Sequence, residues 1–152
     1  MSRTGNGLLA GLAATVVLSA LMVMKAAMGV MPELELPKMI AGMMGSPDSP
    51  MLGWAVHVMI GVVGYGLAMA FLSERLPGNS PTTHGVIIGF VGWLLMMVMV
   101  MPMAGAGMFG MKMGLMAPMM TLVLHLIFGA VLGWTYGKLI AGGSGVPTAR
   151  AA

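Results

Sequence analysis

Four apolar stretches, about Gly7 to Met28, Met51 to Leu72, Gly85 to Met103 and Pro118 to Ile140, dominate this chain. Each is long enough to cross a hydrocarbon layer, for which a helix needs about 20 residues. Lipid offers no partners to exposed backbone N–H and C=O groups, so each stretch is expected to close its hydrogen bonds internally as a helix. Pro32, Pro37, Pro47 and Pro50 punctuate the first break, and Pro77-Gly78-Asn79-Ser80-Pro81 is a turn signal in the second. Charged residues make up 7% of the chain, against about 25% in an ordinary soluble domain. The expected fold is all-α, a polytopic membrane protein whose 152 residues form a single four-helix transmembrane bundle with no room for a second, soluble domain.

What the chain lacks narrows its chemistry. With no cysteine it has no disulfide, thiolate metal site or cysteine nucleophile. Its net charge of +3 comes from scattered cations, without the basic run or aromatic platform that binds nucleic acid. The Gly61-x-x-Gly64-x-Gly66 run lies inside a span and lacks the following Lys-Ser/Thr of a phosphate loop. No nucleophile, base and acid fall together, so no enzyme activity is expected. The spans carry no carboxylate, which argues against proton pumping through an acidic relay.

Arg3 followed by an apolar run from Leu8 has the outline of a signal peptide, yet the run to Met24 exceeds an ordinary h-region and no small-x-small site precedes Lys25-Ala26-Ala27. The segment is expected to remain as a helix. An even number of spans puts both termini on one side, with Arg3, Arg75, Lys138 and Arg150 there and Lys25, Lys38 and Lys112 opposite. The positive-inside rule then favours cytoplasmic termini in a bacterial inner membrane. Trp134, Tyr136 and Trp54 suit interfacial anchors, and Glu74 with Arg75 a solvated loop.

The two halves of the sequence echo one another. Gly7-x-x-x-Gly11 opens the first span and Gly85-x-x-x-Gly89 the third; Met31-Pro32 or Met101-Pro102 follows, and then His57-x-x-x-Gly61 or His125-x-x-x-Gly129. The pattern suggests tandem helical hairpins in one orientation, related by an axis along the membrane normal; the abundance of glycine and methionine offers chance as the alternative. His57, Gly61, Gly64 and Ala68 step by four, three and four, while His125, Gly129 and Gly133 step by four. Small-residue stripes mark close helix packing, so both imidazoles should face the interior at a common depth.

Methionine is distributed unevenly. Twenty of 22 methionines lie in two blocks, Met22 to Met59 and Met96 to Met120, which the span assignment places on the side away from the termini. Thioethers favour Cu(I), and neutral imidazole joins them readily. The candidate metal site is therefore His57, His125, Met96, Met99, Met101 and Met103, binding or passing a soft ion such as Cu(I). Methionine packing alone is the structural alternative. The same histidines, as cofactor ligands, resemble the axial pair of a bis-His haem b protein. Against that, the glycines of the first and third spans lie mainly at the other end from the histidines, where they make no room for the macrocycle. A third reading is an accessory subunit of a membrane complex that binds no ligand; the Gly-x-x-x-Gly faces also permit a homo-oligomer.

Ala104 to Ala117 is too apolar for an exposed loop and too rich in glycine for a helix, so it is expected to fold over the bundle end as a re-entrant segment or lid, or to dip into the interface. Lys25 should snorkel to the membrane surface or pair with Glu33 or Glu35, and His84 should sit at the interface.

The Gly-x-x-x-Gly opening, Met101-Pro102, the loop Gly105-Ala106-Gly107-Met108-Phe109-Gly110 and the run His125-Leu126-Ile127-Phe128-Gly129-Ala130-Val131-Leu132-Gly133 together resemble a group of small uncharacterised four-span bacterial proteins. The resemblance covers most of the chain and implies an inner-membrane location without implying an activity.

Overall fold

The computed structural model describes residues 2–143; Arg150, counted above among the charges beside the termini, lies outside them. Among the described residues four helices are long and apolar enough to span a membrane: α1 (Arg3–Ala27), α3 (Pro50–Arg75), α4 (Pro81–Met103) and α5 (Met116–Gly143). A shorter helix, α2 (Leu36–Met43), sits between the first two. Of the prolines expected to punctuate the breaks, Pro32, Pro47 and Pro77 lie in turns or bends, while Pro37, Pro50 and Pro81 occupy the first turns of α2, α3 and α4, where no intrahelical bond needs their missing N–H. Ser2 and Ser80 accept hydrogen bonds from the N–H groups of Gly5 and Thr83, capping α1 and α4.

The spans run up, down, up, down. α1 packs against α3 on one side and α5 on the other, and α4 lies along α5. Glycine sets each hairpin's spacing. A Cβ at Gly7 would strike the Gly66 carbonyl, and one at Gly11 would lie 2.8 Å from the Gly61 carbonyl. In the second hairpin Gly85 meets the Gly129 carbonyl and Gly89 that of His125. The helices thus meet backbone to backbone, gaining van der Waals contact that larger residues would forbid.

The hairpins differ by one residue. On α5 the glycine-side positions step evenly through His125, Gly129 and Gly133, but on α3 they run His57, Gly61 and Gly66. The extra residue falls in a π-helical stretch, Ile60–Tyr65, whose wider turn absorbs an insertion without ending the helix. Gly64, expected on the packed stripe, is exposed, while Gly66 faces Gly7. α4 carries a second π stretch, Met96–Val100, just before Pro102. A proline ring clashes with the carbonyl four residues back, here that of Val98, and a wider turn relieves the clash.

Two apolar clusters fill the bundle. Toward the termini, Ala10, Ala14, Leu18, Met69, Ile88, Phe128, Leu132 and Tyr136 pack together. Toward the opposite end, Leu34, Met96, Met97, Met101 and Ala106 are buried under Met31, Met39, Phe109, Met113 and Met120. Outward-facing Val16, Phe71, Leu95 and Val123 are exposed, which suits lipid rather than water. Residues 104–115 cover the methionine end: Ala106 and Phe109 join its cluster, and Phe109 and Gly110 turn the chain there with φ of 55° and 68°.

At the terminus end Arg3 pairs with Glu74 at 2.6 Å. Both partners are largely exposed, so Glu74 remains solvated surface, whereas Tyr136 is buried instead of standing at the interface as an anchor. Trp134 is exposed as expected, with the Lys138 ammonium 5.8 Å from its ring centre. His84 Nε2 donates to the Gly78 carbonyl at 3.0 Å in the turn before α4.

Candidate metal site in the methionine half

His57 lies about two turns into α3, and His125 about two and a half turns into α5, measured from the methionine end. Helical phase turns both toward the interior, His57 more completely than His125. His57 is only 6% exposed, and its Nε2 is buried without a hydrogen-bond partner. One turn earlier, Trp54 presents its ring edge-to-face to the imidazole with centroids 5.6 Å apart. A buried nitrogen with no partner costs about 1–3 kcal/mol; among the described residues the other buried side-chain atom without a partner is Asn6 Oδ1, at the terminus end.

The His125 ring is oriented from within its own helix. Its Nδ1 lies 2.8 Å from the Thr121 carbonyl, and a carbonyl can only accept, so Nδ1 carries the proton. In the neutral ring that leaves the lone pair on Nε2, the arrangement seen when a second partner orients a ligating histidine. The Thr121 hydroxyl donates to the Ala117 carbonyl at 2.7 Å and accepts from Trp93 Nε1 at 3.2 Å, and the indole also bonds the Pro118 carbonyl at 3.1 Å. This small network fixes the start of α5 against α4 one turn before His125. Met97 Sδ lies 3.9 Å from the same hydroxyl, which brings a thioether to the histidine turn.

The methionines named from sequence divide into two groups. Met96 and Met101 are buried in the apolar cluster at the methionine end. Met99 and Met103 point outward, 55% and 69% exposed, because the π stretch and Pro102 rotate successive positions around α4. The structure therefore brings His57, His125, Met96 and Met101 into one half of the interior and leaves Met99 and Met103 on its outside. Met97 belongs with the inner group; its four-residue spacing from Met101 was a signal for it. The spacing of Thr121 from His125 was likewise the signal for the orienting carbonyl.

Lys25 takes a role that neither expectation held. Its ammonium donates to the carbonyls of Val30, Met31 and Leu34 at 3.1, 2.9 and 2.8 Å, which uses all three N–H groups. Met31 adopts a φ of 48° in that loop, a left-handed conformation uncommon for a residue with a Cβ. Glu35 pairs instead with Lys38, at 2.6 Å. Lys25 thus fastens a loop that lays Met31 and Leu34 over Met96, Met97 and Met101.

Among the described residues no three His, Cys, Asp or Glu side chains converge as metal ligands. Any ion held here would need thioethers to complete its shell, which disfavours hard ions that prefer oxygen. No curated protein and no solved structure matches the chain. The model of DUF6789, a family of unknown function, matches residues 1–143, and the chain belongs to that family.

Proposed function

We propose that this membrane protein binds Cu(I) in the methionine half of the bundle, with His57 and His125 as imidazole ligands and the inner thioethers Met96, Met97 and Met101 as their soft partners. The observation that carries the reading is the buried, unpartnered Nε2 of His57, with a His125 ring in the same half of the bundle whose Nδ1 is already engaged. A linear or trigonal N/S shell suits Cu(I), and flexible methionine side chains can close on an ion with little backbone movement. Met99 and Met103 then lie outside the shell, where an ion could meet them before the interior.

Holding the ion is favoured over passing it through the bundle. Beyond the histidines the interior closes with Gly11 against Gly61, Gly85 against Gly129 and the apolar cluster around Phe128 and Leu132, where Met69 is the one thioether among the buried residues. The same closeness disfavours haem b: Gly89 lies against the His125 carbonyl and Gly61 against Thr15, leaving no slot for a macrocycle at the histidine level.

Anaerobic titration of the detergent-purified protein with Cu(I), against a chromophoric competitor, tests the reading. One equivalent should bind, and the His57→Leu/His125→Leu double variant should lose it. Absence of binding, or binding unchanged in the double variant, would leave the accessory-subunit reading in its place.

A further inference from the structure

Exposed thioethers set the two halves of the bundle apart. Twelve of the described methionines are exposed, and all twelve lie in the half away from the termini. They include Met28 after α1, Met44 after α2, Met51 in the first turn of α3, Met103 closing α4, Met111 in the loop that follows and Met116 opening α5. Each of these six is between 51% and 79% exposed. Every element that reaches this end thus presents a thioether at its surface. Toward the termini, exposed apolar positions are filled by Leu9, Leu12, Phe71, Leu72 and Phe90, while Met69 is fully buried.

Packing does not account for the difference. Methionine serves a core by bending into irregular gaps, and a side chain more than half exposed fills none. Leucine covers such positions at the other end. What a thioether has and leucine lacks is a reactive sulfur. A soft ion draws its ligands together around one point, whereas an oxidant takes sulfurs one at a time, so thioethers spread over every element suit oxidation. The chain has no cysteine to react before them.

We infer that the exposed methionines are a sacrificial sink for small neutral oxygen-atom donors such as hypochlorous acid, reacting ahead of Met97 and Met101. A sulfur lone pair attacks the oxygen of hypochlorous acid, the O–Cl bond breaks, and chloride and a proton leave. The sulfur is thereby oxidised by two electrons to the sulfoxide. A sulfoxide reductase reverses the step: a dithiol becomes a disulfide and the oxygen departs as water. Position makes the outer reaction harmless. A sulfoxide is polar, and at the exposed end water or lipid head groups solvate it. Inside the cluster of Leu34, Met97 and Met101 it would be a buried acceptor without a donor. The fold therefore survives oxidation of the outer set and not of the inner one. The sink needs no copper.

Stepwise treatment of the copper-free, detergent-purified protein with hypochlorous acid tests the assignment, with each methionine followed by peptide mass spectrometry and the helices by circular dichroism. The six methionines should be converted while Met97 and Met101 stay roughly ten-fold less oxidised, with the helical signal intact. A pair of methionine sulfoxide reductases, one for each epimer, should return the six to thioethers. The variant carrying Met28→Leu, Met44→Leu, Met51→Leu, Met103→Leu, Met111→Leu and Met116→Leu lacks half of the exposed thioethers. In it, the dose at which Met97 begins to oxidise should fall about two-fold. Oxidation of Met97 in step with the exposed set, loss of helical signal before that set is consumed, sulfoxides that the reductases do not reverse, or an unchanged dose in the leucine variant would each overturn the proposal.

Discussion

The two ends of the bundle are held by different chemistry. At the terminus end, glycines bring helix backbones into contact through Gly7 with Gly66 and Gly85 with Gly129. At the other end, flexible thioethers from α4, two loops and the start of α5 fill the interior, held by hydrogen bonds from Lys25, Trp93 and Thr121. Backbone contact tolerates no added atom, whereas thioether packing can rearrange around one. The first end is thus suited to fixing helix geometry and the second to receiving a ligand.

Substitutions that add bulk should separate the two ends most clearly. Gly129→Val places its Cβ against the Gly85 carbonyl and should destabilise the bundle by about 3 kcal/mol or more, since the obstacle is backbone. Denaturant unfolding in mixed micelles would show the loss. A methionine-end change of comparable size, Met120→Phe, should cost far less because its neighbours are side chains; equal losses at both ends would dissolve the contrast.

Lys25→Met comes next. It leaves the carbonyls of Val30, Met31 and Leu34 without their donor and should cost about 2 kcal/mol. Faster hydrogen exchange confined to residues 28–36 would locate that loss in the loop, whereas unchanged exchange would deny Lys25 its fastening role. Thr121→Val removes the acceptor for Trp93 and the hydroxyl bond to Ala117, but keeps the carbonyl that orients His125. It should lower stability by about 1 kcal/mol, read from the same unfolding curves, with Cu(I) affinity falling less than for a histidine variant.

The smallest effects on stability divide the methionines themselves. Met99→Leu and Met103→Leu should leave stability within about 0.5 kcal/mol of the parent, as exposed substitutions usually do. Met97→Leu should also preserve the fold, since the side chains are similar in volume, yet weaken Cu(I) binding roughly ten-fold, or about 1.4 kcal/mol. Competitor titration across the three variants would find an outer ladder if Met99 mattered more than Met97.

The spans were legible because each had to satisfy its backbone internally, which left a long apolar run as an unmistakable trace. The Gly-x-x-x-Gly pairs were legible for a similar reason, since close approach demands small residues at helical spacing. Gly64 and Gly66 were not resolved, because a strict helical period has no means of showing where one π turn shifts the phase. The outward turn of Met99 and Met103 was hidden for the same reason on α4, where the second π stretch precedes Pro102. α2 was obscured by Pro37, which is a breaker within a helix and a favourable residue at its start. The histidines showed their interior position through the small residues that follow them, but the lone state of His57 Nε2 depends on what other helices bring near it. Lys25 lay furthest from reach, since a cation near a span end gives no sign that backbone carbonyls five to nine residues later will surround it.

The central claim is that imidazole and thioether together form a soft-ion site in the methionine half. X-ray absorption at the copper edge of the Cu(I)-loaded protein examines that shell directly. The account predicts mixed nitrogen and sulfur scattering, with the nitrogen contribution lost in His57→Leu/His125→Leu and the sulfur contribution reduced in Met97→Leu. An all-sulfur shell indifferent to the histidine variants, or a protein that takes up no copper, would contradict it.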